Sequence, residues 1–144
     1  VIDLSELYKL IRRFEGCRLR AYLCPTGVWT VGWGTTGPEI GPGTVWSQAQ
    51  ADARMEADAR RFAHRSLALC PNLVHWDGSA CAVADFAYNL GLGALRSSTL
   101  RRKILAEDWD GAGAEFGRWV RAGGKVLRGL VLRRAEEARL FAEG

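Results

Sequence analysis

An α+β domain is predicted from three observations. Apolar residues recur at helical spacing over residues 4–14, a β-favouring stretch broken by turn residues covers 18–33, and nearly everything after residue 47 carries helical periodicity. The order helix, small sheet, long helix, helical bundle is the α+β signature, and 144 residues suffice for one domain with a core.

Each element follows from local chemistry. Leu4, Leu7, Tyr8, Ile11 and Phe14 share one face of the first helix, Glu6, Lys9, Arg12 and Arg13 face water, and Asp3 or Ser5 can cap it. Gly16 follows Glu15, so that carboxylate projects from the helix end. Short strands follow from Arg18, with Pro25-Thr26-Gly27 as the turn and Gly27 free to take positive φ. Trp29 and Trp33 are expected on one face of the resulting hairpin. Residues 36–44 are rich in Gly and Pro and read as a loop and boundary. Ser47 and Gln50 form a capping box for a long helix to about Ala68, whose alternating charges suggest a solvated connector.

After Cys70-Pro71, Asp77 or Ser79 caps the most apolar helix, Ala80 to Leu90, which ends at Gly91-Leu-Gly93. Ser97 or Ser98 starts a basic helix to about Ala106, and Asp108 leads another to about Val120. Gly123-Gly124 breaks the chain before a last helix from about Gly129 to Ala142.

Composition narrows the function classes. The formal charge of +4, from 20 basic and 16 acidic residues, suits an anionic polymer such as a bacterial envelope but lacks the dense footprint of a nucleic-acid binder. No run of 18 apolar residues exists, so this stretch does not span a membrane. The chain begins at Val1, consistent with an N-terminal signal or anchor removed earlier. Cys17, Cys24, Cys70 and Cys81 contain no C-x-x-C pair, and His64 and His75 lack ligand spacing, so no metal site is expected. The four cysteines are either buried thiols or two disulfides, with three connectivities open.

One span, Phe14 to Thr36, gathers an acid, two thiols and hydroxyls. Glycoside hydrolysis needs a protonated carboxylic acid to release the leaving oxygen and a second group to activate water or attack the anomeric carbon. Glu15 is either the acid for the first task or a surface carboxylate at a helix end, and Cys24 is either a thiolate for the second task or a structural or disulfide cysteine. Thr30 can orient water, and the six tryptophans offer faces for sugar rings, although buried packing is their default role.

Glu15, eight intervening residues, Cys24, five more and Thr30 resemble the Glu-x8-(Asp or Cys)-x5-Thr pattern of phage-type lysozymes, the endolysins. The resemblance extends through EGCRLRAY, GVWTVGWGTTG, SQAQA, DFAYNLGLGALRSSTL and RWVRAGGKVLRGLVLRRAEE, in the manner of the lambdoid branch. It implies a lysozyme-like two-lobed fold with a small hairpin lobe over 15–46, a connecting helix over 47–68, and a helical lobe over 69–144 plus the N-terminal helix. It further implies hydrolysis, without cofactor, of the β-1,4 bond between N-acetylmuramic acid and N-acetylglucosamine in peptidoglycan. A non-catalytic peptidoglycan-binding module is the alternative.

By the same resemblance Glu15 is the general acid, Cys24 holds the position usual for aspartate, and Thr30 orients water. Thr36, Tyr88 and Thr99 line the substrate cleft, and Arg133 or Arg134 is the basic partner of Glu15. Thr35 stands where the family often has histidine, so a polar contact that ties the hairpin to the other lobe is expected to be absent or remade.

A second cysteine near Cys24 resembles signal-arrest-release endolysins, which are exported on a weak anchor and held inactive in the periplasm. This implies a regulatory Cys17–Cys24 disulfide opened by thiol exchange, with Cys70–Cys81 as a structural bond worth about 2 to 4 kcal/mol. A monomer acting on the cell wall from the host periplasm is expected, with no nucleic-acid or membrane partner for this stretch.

Overall fold

A computed structural model describes all residues, Val1–Gly144. The chain forms two compact units, one of Tyr8–Asp58 and the other of Val1–Leu7 with Ala59–Gly144. Helices α1 (Ser5–Glu15) and α2 (Gln48–Leu69) each run from one unit into the other.

In the Tyr8–Asp58 unit, β1 (Arg18–Leu23) and β2 (Trp29–Gly32) pair antiparallel, with Tyr22 opposite Thr30 and Leu23 opposite Trp29. The register shifts between Arg18 and Tyr22, the mark of a bulge. Gly27, at φ 82°, makes the turn and donates its amide to the Cys24 carbonyl at 2.8 Å. Ala21, Val31 and Ile40 form a small core, with Trp29 and Trp46 packed on it.

Trp33 departs from the expected shared face with Trp29. Gly32 takes φ 66° and ends β2, so Trp33 lies beyond the strand alternation and its indole donates to Asp52 Oδ1 at 2.8 Å. The loop is tight because a Cβ on Gly32 would meet the Trp46 ring at 3.2 Å.

The capping box expected at the start of α2 is present: Ser47 Oγ accepts from the Gln50 amide at 3.1 Å and Gln50 Oε1 from the Ser47 amide at 2.8 Å. The expectation of a solvated connector needs correction. Ala51, Met55, Ala59, Ala63 and Ser66 form a buried stripe along α2, while charged residues such as Arg60 and Arg65 stay exposed. Alternating charges concealed a narrow apolar face built mostly from alanine.

The second unit is centred on α3 (Asp77–Leu90), buried from Ser79 through Ala87. Around it come α4 (Leu92–Ser97), α5 (Thr99–Leu105), α6 (Trp109–Glu115), a strand pair β3 (Arg121–Ala122) and β4 (Lys125–Val126), and α7 (Arg128–Glu143). Ser98 and Asp108 cap α5 and α6 through the amides of Arg101 and Gly111. The helix expected to reach Val120 ends at Glu115 and passes into a 3-10 turn over Phe116–Arg118. Gly123 and Gly124 both take positive φ, which is why the expected break is a two-residue hairpin turn.

Phe86 packs edge-on to Phe116 and Trp119 at 6.0 and 5.2 Å, and Phe116 packs on Phe141 at 5.4 Å. Burying each such phenylalanine contributes about 1.5 to 3 kcal/mol. Beside them lies a buried ionic cluster. Arg133 grips Asp85 with two bonds of 2.9 and 2.8 Å, and Arg134 holds Glu137 and Asn89, each at 2.9 Å. Burial works to raise the Asp85 carboxyl, but the hydrogen bonds and charge of Arg133 outweigh it and hold Asp85 below the usual range. Burial, then the hydrogen bond and charge of Asp85, push Glu137 well above it. The two carboxyls are thus pushed in opposite directions within one buried cluster. No helix here is long and apolar enough to cross a membrane.

Candidate active site

Glu15 is the last residue of α1, released by Gly16 at φ 66°. Its carboxylate lies against the backbone of Gly34, where a Cβ would sit 2.5 Å from Glu15 Oε1 and 2.9 Å from Cδ. Gly34 also has φ 81°. Only glycine allows the loop after β2 to approach the acid this closely.

Cys24 stands at the turn between β1 and β2, half-buried, with Sγ 3.0 Å from Thr26 Oγ1. Its amide donates to the Val28 carbonyl at 3.0 Å. The Thr26 hydroxyl, then the Val28 backbone, lower the thiol from 9.0 to about 7, with smaller help from the Thr30 hydroxyl. The Cys24 thiol is thus poised at neutral pH by hydrogen bonds rather than by a neighbouring cation. Thr30 is buried and donates its hydroxyl proton to the Val28 carbonyl at 3.0 Å. That single proton is shared between the Val28 carbonyl and the Cys24 sulfur, and the hydroxyl lone pairs can accept a hydrogen bond, as from a water molecule.

Glu15, Cys24 and Thr30 all belong to the Tyr8–Asp58 unit. Thr36 belongs to it too and is exposed, directly after Thr35, which bridges back to Val31. Tyr88 and Thr99 lie in the other unit. Tyr88 meets Phe62 edge-on at 5.4 Å, and Thr99 Oγ1 accepts from Arg102 Nη2 at 2.7 Å. Arg133 and Arg134, the candidate basic partners of Glu15, are engaged with Asp85 and Glu137 as described.

All four cysteines are free thiols, so neither expected disulfide is formed. Cys81 donates to the Asp3 carbonyl at 3.2 Å, while Cys70 is buried beneath the charge of Arg101. Burial pushes both thiols up to about 11. Each is buried in its own surroundings, and a bond between them is not needed to hold them. Cys17 receives the Gln48 side-chain amide at 3.6 Å.

Three contributors escaped the sequence reading. Thr26 was read only as a turn residue, although a hydroxyl two positions after a thiol at a turn is within its reach. Asp52 and Gln48 sat in a charged helix with no outward sign of a role. The Thr35 hydroxyl is buried without a hydrogen-bond partner. Next to it, within the same unit, the Trp33 indole bonds Asp52. A pocket of about 460 Å³ lined by Trp76, Trp109 and Phe141 contains none of the candidate residues. Its Ser79 and Glu143 are engaged with the Phe141 carbonyl and Arg139.

Known proteins resemble this chain in sequence and in fold. A family model described as Phage lysozyme matches residues 12–137. The endolysin of Bacillus phage PZA is 39% identical over 140 residues, covering 94% of this chain. The chain spans about half the length of that relative, 53%. A SAR-endolysin of Bacteriophage PS119 is 37% identical over 123 residues, covering 85% of this chain and 73% of the relative. The active form of P1 phage endolysin Lyz superposes with a TM-score of 0.85 at 26% identity, covering 97% of this chain and 84% of that one. The match across 12–137, on a fold that brings an acid, a thiol and a hydroxyl into one unit, means that the chain belongs to the phage lysozyme family.

Proposed function

We propose that the chain hydrolyses the β-1,4 bond between N-acetylmuramic acid and N-acetylglucosamine in bacterial peptidoglycan, as a monomeric lytic enzyme working on the host wall from the periplasm. The observation that carries this reading is the Cys24 thiol at about 7, in the aspartate position and next to Thr30. Glu15 gives its proton to the leaving glycosidic oxygen. Cys24 supplies the anionic group that an aspartate supplies in relatives, and Thr30 orients water. Thr36, Tyr88 and Thr99 contact the glycan.

Reducing-sugar release from purified peptidoglycan tests this reading. The unaltered protein is expected to release sugar and Glu15→Gln to release none. A binding module without chemistry would sediment with the wall and release nothing in either form.

Cys17 and Cys24 are proposed as a regulatory pair, and the strand between them sets the terms. They flank β1, so about 20 Å of extended chain separates them. A disulfide needs Cα atoms within about 7 Å. The Cys17–Cys24 bond and β1 are therefore mutually exclusive. Formation of the bond unmakes the hairpin that presents Cys24 and Thr30, which gives a latent form with no hydrolysis. Peptide mapping of protein isolated without reductant is expected to find Cys17 linked to Cys24, with activity appearing on reduction. Two free thiols and activity indifferent to reductant would dispose of the switch and leave the hydrolysis intact.

A further inference from the structure

The loop after β2 and the residues following α1 enclose Glu15 from two sides, and one carboxylate is attached to both. Asp52 Oδ1, on the first turns of α2, accepts from Trp33 Nε1 at 2.8 Å and from Gln48 Nε2 at 2.9 Å. The same Gln48 nitrogen reaches Cys17 Sγ at 3.6 Å. Trp33 immediately precedes Gly34, the residue against which the Glu15 carboxylate rests, and Cys17 is two residues beyond Glu15. All of these residues lie in one compact unit.

We infer that Asp52 is a positioning residue for Glu15: by holding Trp33 directly and Cys17 through Gln48, it fixes the two backbone segments that aim the acid. This rests on the hydrolytic reading and adds to it a residue that never touches substrate.

The geometry leaves little slack. Gly34 approaches the Glu15 carboxylate so closely that no Cβ fits between them, so a shift of the Trp33–Gly34 peptide displaces the acid directly. Strand β2 ends at Gly32, so the Trp33–Gly34 peptide lies outside the pairing with β1. The backbone pair between Thr35 and Val31, at 2.9 Å in each direction, closes the loop behind it. The Trp33 indole is the side-chain anchor on the α2 side. Hydrogen bonds from Trp33 and Gln48, in that order, lower the Asp52 carboxyl, with a smaller pull from Arg12, so the acceptor is charged at neutral pH and both bonds are charge-assisted.

The test uses kcat and KM on solubilised, uncrosslinked glycan strands. Asp52→Ala and Trp33→Phe are each expected to lower kcat about 10- to 100-fold, the cost of a misplaced catalytic group, with KM changed less than about twofold. The double variant should lose no more than Asp52→Ala alone, because Asp52→Ala already removes the bond that Trp33→Phe removes. Asp52→Asn keeps an acceptor oxygen and should recover kcat to within about threefold of the unaltered protein. Circular dichroism melts establish the folded fraction, and kcat is expressed per folded molecule. If Asp52→Ala fails to fold, Trp33→Phe and Asp52→Asn carry the comparison. Unchanged kcat in Trp33→Phe, multiplicative losses in the double variant, or Asp52→Asn as slow as Trp33→Phe would each overturn the inference. With Glu15→Gln inactive in the same assay, such a result overturns the positioning role and leaves the hydrolysis standing.

Discussion

Cys24 and the pair Cys70 and Cys81 are one chemical group in two kinds of surroundings. Hydrogen bonds from Thr26, the Val28 backbone and Thr30 lower Cys24 to about 7. Burial raises Cys70 and Cys81 to about 11. At pH 7 about half of Cys24 is thiolate, against about one part in ten thousand for each of the others. Reactivity in this chain is set by where the fold places a sulfur. Three hydroxyl and backbone contacts at a turn achieve for Cys24 what a cation or helix end achieves elsewhere, and the same residue in the helical unit is inert filling.

Breaking that contrast at its source should have the largest effect. Cys24→Ser is expected to lower peptidoglycan hydrolysis by about 10² to 10⁴, the range for loss of a proton-transfer group, while Cys24→Asp retains measurable turnover. Turbidity loss of outer-membrane-permeabilised cells reads both. Lysis by the serine variant at the unaltered rate would show that the thiol is a bystander.

Next in size is the difference in alkylation rate. Iodoacetamide at pH 7 should label Cys24 at least about 100-fold faster than Cys70 or Cys81 in the folded protein, as followed by peptide mass mapping. Comparable rates for the three would mean that the hydrogen bonds at the turn do not tune the sulfur.

Thr26→Val sharpens the comparison by removing the largest cause of the lowered value. The midpoint of Cys24 alkylation against pH should move from about 7 toward 9.0. The sign of the linked stability follows. Because folding lowers the Cys24 pKa and so favours its thiolate, its contribution is full above about 9, declines as pH falls, and is lost on passing below about 7. A midpoint left at 7 in Thr26→Val would assign the effect to the backbone.

The smallest effect belongs to the buried side of the contrast. Cys81→Ala removes a packed sulfur and its bond to the Asp3 carbonyl, so unfolding free energy should fall by about 1 to 2 kcal/mol. Hydrolysis per folded molecule should be unchanged. An equal loss seen only without reductant would instead indicate a Cys70–Cys81 bond in solution.

Local chemistry made much of this structure legible. Ser47, Gln50, Ser98 and Asp108 mark helix starts because a side chain satisfying a backbone amide must lie within three residues of it. One helix end and one hairpin carry Glu15, Cys24 and Thr30, but it is the resemblance to the phage lysozyme pattern, not local chemistry, that singles out their spacing. What stayed hidden depends on distance or on a single dihedral. Arg133 and Asp85 are 48 positions apart, and nothing in either segment announces the partner. Trp33 was placed beside Trp29 by strand alternation, and the positive φ at Gly32 redirected it to Asp52. The alanine stripe of α2 was masked because alanine carries too little apolar surface to stand out among charges.

The division of the chain has a consequence for the order in which the molecule is made. Residues Val1–Leu7 belong with Ala59–Gly144, and Tyr8–Asp58 is an insertion between them. On the ribosome, the first seven residues emerge long before their neighbours exist. Leu7, fully buried in the finished protein, and Asp3, whose carbonyl receives Cys81, must wait for synthesis to pass α3. The inserted unit has all of its residues by Asp58, so Cys17, Cys24 and the β1 segment between them are complete while the helical unit is still being translated. The sulfur chemistry of the hairpin is thereby open to the redox state of the nascent chain before the rest of the protein exists.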